Sequence, residues 1–521
     1  MPTRLSIRAR RPFASLVILG AIASWLIQPA AMPAAAAPAR PALRPATPEL
    51  IERAVRRGEI SEAEGALYLT WAFTAPARLP ESYVSDTPWS GTLPLLRLRE
   101  RLPALGDAPA AVAARTELRG SAFACPGTSG SLPQTRSTSN FYVQYKASAL
   151  QGLSVGSYTT ALETTWTTEI GRFGWAKPPA DPVSYPPGRR YPVRIENLGT
   201  GLYGYVAGTR VAGNNPSTPW NDRDAVASCM VLNRDFGPFP GTPLDALRAT
   251  AAHEFNHSIQ FGYGALGGAG KAGNVMVEGM ATWMEDEVFD SSNDSYNYLW
   301  PQFAQPMGRY TKSPYPYWVV FRAMAERFGS GDRNGSEAVY QTFWEQVGKG
   351  NSTNLEALAK AFKAENTTLA DAYHGAAIAL RFLADCSSTP RKYCLDEGPA
   401  YALSAGPNDN HATLGAAPDS ISRTIPNDFA LNWIGLPTAA GTDLTVTHDG
   451  GRGVLRVAVA CLESGSVSVT PAGTATPSGD AAASNLDLSG CDAASAVISN
   501  VKLTAATPSS ITRTDYTIET G

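Results

Sequence analysis

Several absences narrow what this 521-residue chain can do. Lys and Arg total 43 against 46 Asp and Glu, a formal charge of −3. The basic footprint that a phosphate backbone demands is missing, which excludes nucleic acid as a partner. Beyond the N-terminus no apolar run approaches the roughly 20 residues that span a bilayer, so stable membrane insertion is not expected. Cysteine is sparse: Cys125, Cys229, Cys386, Cys394, Cys461 and Cys491 lie too far apart for a cysteine zinc site. Their clustering instead suggests disulfides between Cys386 and Cys394 and between Cys461 and Cys491, leaving Cys125 and Cys229. The oxygen-rich run Asp290-Ser291-Ser292-Asn293-Asp294 can offer ligands to calcium but lacks the twelve-residue EF-hand spacing, and reads first as a polar loop.

Histidine is scarcer still, five residues in all, and two of them stand four apart in Thr250-Ala251-Ala252-His253-Glu254-Phe255-Asn256-His257-Ser258-Ile259. This is the H-E-x-x-H zinc pattern. It sits in a helix that Pro243, Leu244 and Asp245 open and Gly262 and Gly264 close. Helical spacing stacks both imidazoles on one face, where they can share one ion, and turns Glu254 toward a water on that ion. No other charged residue lies between Thr250 and Ile259, as expected of a helix inside a protein that offers one polar face to a metal. His374, His411 and His448 have no ligand pattern around them and read as structural.

A catalytic zinc requires a third protein ligand. Twenty residues lie between His257 and Glu278, room for a glycine-rich loop and the return of an antiparallel helix, Val277 to Glu287, that would bring Glu278 to the histidines. Here the chain resembles the gluzincin metallopeptidases, whose zinc is held by two histidines of H-E-x-x-H and a glutamate of the following helix. Glu278-Gly279-x-Ala281, with Glu285 seven residues on, is similar to the E-G-x-A-x-x-x-E segment of their aminopeptidase branch. The fuller run from His253 to Phe261, then Glu278 to Val288, looks closer to secreted bacterial metallopeptidases of this group. The resemblance covers about residues 240–330.

It implies one catalytic Zn²⁺ on His253, His257 and Glu278, leaving one positive charge to activate a water, with Glu254 as general base and proton shuttle. Glu285, two turns from Glu278, either orients a ligand or is a surface carboxylate. In the aminopeptidase branch a tyrosine ahead of a later helix stabilises the oxyanion. Tyr315 occupies the comparable place, with Tyr317 as rival and Tyr296, Tyr298 and Tyr310 as further candidates. An edge strand beside the zinc pairs with the substrate backbone in gluzincins, and Leu202-Tyr203-Gly204-Tyr205-Val206 is the candidate, an ordinary strand being the alternative. The chain departs from the aminopeptidases in two places. Ser228 to Asn233 lacks the glutamate that grips a substrate's free amine, and Val277 replaces the asparagine before the third ligand. Both departures favour an endopeptidase, or a peptidase of unknown cut position, over an aminopeptidase, acting on protein or peptide substrates.

Residues 1–37 read as an export signal: Arg4, Arg8, Arg10 and Arg11 precede the apolar run Phe13 to Ile27, and Ala34 to Ala37 offer a cleavage site. Arg10-Arg11 also fits a twin-arginine signal. No cysteine follows the apolar run, so a lipid anchor is not expected, and the location is secreted or extracytoplasmic. Residues 38–138 read as an Ala/Pro-rich linker, then two helices, one carrying Leu50, Ile51, Ala54 and Val55 and one beginning at Ser61, then a loop and processing zone over 102–138. This helical segment is either a pro-region or a permanent hairpin.

Residues 139–424 read as a zincin-like catalytic domain, with strands at Phe141 to Tyr145, Tyr191 to Ile195 and Ala225 to Leu232 and a helical C-terminal part. Residues 425–521 alternate with period two and read as an antiparallel β-sandwich. The expected class is therefore α+β: a mixed sheet with active-site helices and a helical subdomain, then the sandwich. Two functions follow, a secreted zinc metallopeptidase or an exported binding or adhesion protein on a peptidase-like scaffold. Nothing in the sequence specifies an oligomeric state.

Overall fold

The computed structural model describes residues 44–120, 132–179, 190–264, 274–299, 306–307, 314–328, 337–350, 354–406, 408–503 and 511–521. The expected export signal, the start of the linker, Cys125 and Tyr310 lie outside them. The described chain is α+β, with helices and three sheets. Among the described residues no helix is long and apolar enough to cross a membrane.

Four helices come first: α1 (Thr47–Arg56), α2 (Glu62–Thr74), α3 (Thr92–Arg101) and α4 (Pro109–Gly120). Helix α2 starts at Ser61 because a capping box satisfies its first amides: the Ser61 hydroxyl accepts from the Glu64 amide at 3.2 Å, and the Glu64 carboxylate accepts from the Ser61 amide at 2.8 Å. Helix α4 corrects the loop expected over 102–138. Its alanines signal helix at least as strongly as flexibility, because alanine loses no side-chain entropy on entering one.

The first sheet contains β1 (Gln134–Ser137), β2 (Phe141–Tyr145), β3 (Tyr191–Glu196), β4 (Gly204–Gly213) and β5 (Ala225–Asn233) in the order β1-β2-β3-β5-β4. Strands β2, β3 and β5 run parallel; β1 and β4 are antiparallel to their neighbours. Helix α5 (Val155–Trp166) makes the crossover from β2 to β3. All nine residues of β5 are buried, as a run of apolar residues requires when both faces of a sheet are covered. The inner face packs on α6 (Pro243–Gly262) and α7 (Asn274–Val288), with Phe141, Val193 and Met230 meeting Phe255, Ile259 and Met280 in one core. The outer face carries Leu202, Tyr205 and Val231 and lies under the N-terminal helices through Phe73, Trp89, Leu95 and Leu98.

A helical layer follows, α8 (Trp318–Ala325), α9 (Glu337–Gly348), α10 (Asn354–Ala364), α11 (Leu369–Phe382) and α12 (Gly398–Ala405). The remaining strands are β6 (Ala412–Thr413), β7 (Asp419–Pro426), β8 (Ala430–Leu436), β9 (Ala440–Gly450), β10 (Leu455–Glu463), β11 (Ser466–Ala475), β12 (Ala481–Asp487), β13 (Ala493–Asn500) and β14 (Arg513–Thr520). They form sheets of order β11-β10-β13-β8-β6 and β12-β9-β14-β7, antiparallel apart from the β6–β8 pair. Ile434, Val457 and Ile498 of one sheet share a core with Leu444, Val446 and Ile518 of the other.

Strand β8 is buried on both faces, because its alternate residues turn to α11, where the Trp433 indole donates to the Ala377 carbonyl at 2.8 Å. The strands begin before residue 425, with β6 at Ala412 and β7 at Asp419. The polar alternation of β7, exposed at a sheet edge, conceals it in the sequence. Both expected disulfides, Cys386–Cys394 and Cys461–Cys491, are formed, and Cys229 is disulfide-bonded as well.

Candidate metal centre

Helix α6 begins where Thr242 caps the Asp245 amide at 3.2 Å and Pro243 takes the first turn. From Ala246 to Gly262 every residue except Arg248 is buried, so the two histidines cannot reach solvent and must find partners inside. Their rings lie edge to face, centroids 4.7 Å apart. Helix α7 returns alongside with Glu278 aimed at them. Gly279, the next residue, lets α7 pack closely on α8 behind it: a Cβ there would lie 2.7 Å from the Phe321 ring.

Three atoms converge. His253 Nε2 lies 3.1 Å from His257 Nε2 and 3.1 Å from Glu278 Oε2, and His257 Nε2 lies 3.5 Å from the same oxygen. The other ring nitrogens are engaged from behind. His253 Nδ1–H donates to Glu285 Oε1 at 2.7 Å. His257 Nδ1 meets Gln260 Oε1 at 2.9 Å, while Gln260 Nε2 donates to Asn256 Oδ1 at 2.9 Å and to the Val277 carbonyl at 3.0 Å. Two acceptors around Nε2 fix Oε1 as the acceptor, so His257 carries its proton on Nδ1. Were both rings neutral, these tautomers would present two lone pairs and a carboxylate to one another, a repulsive arrangement that a proton on His253 or a shared cation relieves.

The spacing fits one. A tetrahedral ion with bonds of about 2.0–2.1 Å sets its ligands about 3.3–3.4 Å apart. His253, His257 and Glu278 together can hold a metal ion, and the second oxygen of Glu278, though buried, has no hydrogen-bond partner among the described residues.

Electrostatics agree with the geometry. Burial raises the Glu278 carboxyl, but the neighbouring His257 and His253 pull it down to about 2. Burial opposes charge on His253, yet the hydrogen bonds it donates to the Glu278 and Glu285 carboxylates outweigh it and hold that ring above the usual imidazole range. The same carboxylates would attract a metal ion. Burial raises Glu254, the direction a general base needs to work near neutrality. Its Oε1 accepts from the Ser90 hydroxyl at 3.0 Å and its Oε2 from the Thr92 hydroxyl at 2.7 Å.

Tyr315 lies on the turn before α8, its ring 6.2 Å from that of His253, and its hydroxyl accepts from the Ser90 amide at 3.3 Å. Of its rivals, Tyr317 is buried in the core and Tyr296 points to Glu397 and Tyr401. Tyr298 stacks 5.0 Å behind Tyr315 and lines the same cleft. In the run 290–294, read first as a polar loop, Asp294 turns inward, bonded to the Tyr203 hydroxyl and to Asn297, and no residue of the run joins a metal-binding group among the described residues. The candidate substrate strand starts β4, which is the sheet edge.

No protein-family model and no curated protein matches this chain. Among solved structures, one titled "Crystal structure of PirA" matches at 14% identity with a TM-score of 0.16, over 20% of this chain and 93% of its own. At that score the likeness carries no weight for fold or site.

Sequence reasoning assigned no role to Gln260, Ser90 or Thr92. Gln260 had a signal, three residues after His257 and so on the same helix face. Ser90 and Thr92 had none, because 164 and 162 residues separate them from Glu254.

Proposed function

We propose that this protein is an exported zinc metallopeptidase of the gluzincin type, cutting within polypeptides. On this reading residues 139–424 are a zincin-like catalytic domain and 425–521 an appended β-sandwich. The observation that carries it is the convergence of two imidazole lone pairs and one carboxylate within 3.5 Å, one residue from a buried carboxylate that can move a proton. His253, His257 and Glu278 would hold the ion. When bound, it supplies Lewis-acid activation of water and of the scissile carbonyl.

The chain's own residues do the rest. Glu254 takes a proton on a carboxylate oxygen and returns it to the departing amine nitrogen. The Tyr315 hydroxyl donates to the carbonyl oxygen as negative charge grows there. Glu285 and Gln260 keep both rings in the tautomers that leave Nε2 free. Disulfides support an oxidising compartment, and the missing amine-gripping glutamate supports internal cleavage.

The deciding experiment compares metal content and peptide cleavage for wild type and Glu254→Gln. Each should hold one zinc per chain, with turnover lower by about 10²–10⁴ in the variant. Equal turnover in the two would sink the assignment.

A further inference from the structure

The candidate cleft is narrow, and the chain narrows it with its own backbone. Ser90, Tyr203, His253, Glu254, Tyr298 and Tyr315 line a cavity of about 20 Å³, room for one water but not for a peptide, since a single water needs about 10–15 Å³. The wall is the segment between α2 and α3. Its backbone pairs with the chain leading into β4 and turns into α3 at Gly91: the Trp89 amide donates to the Gly201 carbonyl at 2.8 Å, the Tyr203 amide to the Trp89 carbonyl at 3.2 Å, and the Gly91 amide to the Gly204 carbonyl at 2.9 Å. Trp89 and Leu202 form a parallel bridge.

The side chains complete the narrowing. The Thr92 hydroxyl accepts from the Val206 amide at 2.8 Å and donates to Glu254, while the Ser90 hydroxyl takes the other carboxylate oxygen and its amide takes Tyr315. Four residues therefore engage the sheet edge, the general base and the oxyanion donor together.

We propose that Trp89–Thr92 occupies the peptide-binding edge of this site, and that substrate enters only when this segment is displaced. The inference rests on the metallopeptidase reading above. It also identifies the groove's ligand by class, an extended peptide whose amides and carbonyls replace those of Trp89 and Gly91 on Gly201–Gly204. Gly91 is where the segment lies closest, since a Cβ there would meet the Phe73 ring at 2.7 Å and Tyr205 Cβ at 3.0 Å. Any larger residue must push the segment outward.

The test uses the full chain loaded with Co²⁺ and a dipeptide hydroxamate as probe, followed through the visible spectrum of the metal. Gly91→Val and the double variant Ser90→Ala/Thr92→Val should bind the probe at least tenfold faster than wild type at unchanged metal content, and peptide turnover should rise with it. Binding no faster than wild type in both variants overturns the proposal and leaves Ser90 and Thr92 as groups that position Glu254. Faster probe binding without peptide cleavage keeps the self-occupied groove and defeats the peptidase reading. Failure of every chain to take up cobalt defeats both.

Discussion

Gln260 should be worth one to two orders of magnitude in zinc affinity although it never touches the ion. Its amide serves three groups at once: His257 Nδ1–H at 2.9 Å, Asn256 Oδ1 at 2.9 Å and the Val277 carbonyl at 3.0 Å, one residue before Glu278. It thereby ties the histidine helix to the glutamate helix. Gln260→Leu keeps the bulk and removes the bonds. The Val277 carbonyl retains its bond within α7, but His257 Nδ1–H and Asn256 Oδ1 are orphaned in a dry interior at about 1–3 kcal/mol each. We expect the metal-free protein to lose about 2–4 kcal/mol and zinc affinity to fall by about 10–100-fold as the ring is freed to rotate.

Gln260→Glu separates the two effects. It retains an acceptor for His257 while losing both donated bonds, so stability should fall while affinity stays within about threefold of wild type, well inside the range attached to losing such a partner. Competition with a chromophoric chelator measures affinity, and denaturant unfolding of the metal-free protein measures stability. If Gln260→Leu loses stability as expected yet binds zinc like wild type, Gln260 only packs and the positioning argument fails.

Zinc at about one hundred times its dissociation constant should stabilise wild type by about 2.7 kcal/mol and leave Glu278→Ala unmoved; an equal response in both would remove Glu278 from the ligand set. Gly279→Ala drives a Cβ to 2.7 Å from the Phe321 ring. It should cost about 1–3 kcal/mol and weaken zinc binding by shifting Glu278, with Phe321→Leu restoring both; lack of rescue would place the strain elsewhere. His374, bonded to Ser499 at 3.0 Å, is held down to about 4 by burial and by the nearby Arg456, with Asp371 opposing. A depressed imidazole contributes its full share of stability above the unfolded value of about 6.5 and loses it as pH falls toward 4. Between pH 7 and pH 5 wild type should therefore lose about 2 kcal/mol more than His374→Gln, read from denaturant midpoints at the two pH values; equal losses would refute the assignment.

What the sequence reveals divides by distance along the chain. The limits of α6 are legible because Thr242, Pro243 and Asp245 cap one end and glycines end the other, all local chemistry. The convergence of Glu278 with His253 and His257 is legible because two consecutive helices joined by a short connection have few ways to fold back on each other. Strand β5 shows as an apolar run, whereas the polar β7 and the alanine-rich α4 mislead: residue type alone does not show which face is covered, nor whether alanines are packed or loose.

The state of the site belongs to a different scale. Any H-E-x-x-H helix places a carboxylate where Glu254 stands, but the groups that engage that carboxylate come from a segment more than 160 residues earlier, brought there by Phe73, Trp89 and Leu95 packing on the outer face of the sheet. A motif thus encodes which atoms can do the chemistry, and tertiary packing encodes whether a substrate reaches them. The two are separable by mutation, since Ser90 and Thr92 contact Glu254 without contributing a ligand, and Gln260 and Asn256 support the His257 side from outside the cleft lining. Substitutions at the first pair should change access at constant metal affinity, and substitutions at the second should change affinity at constant access.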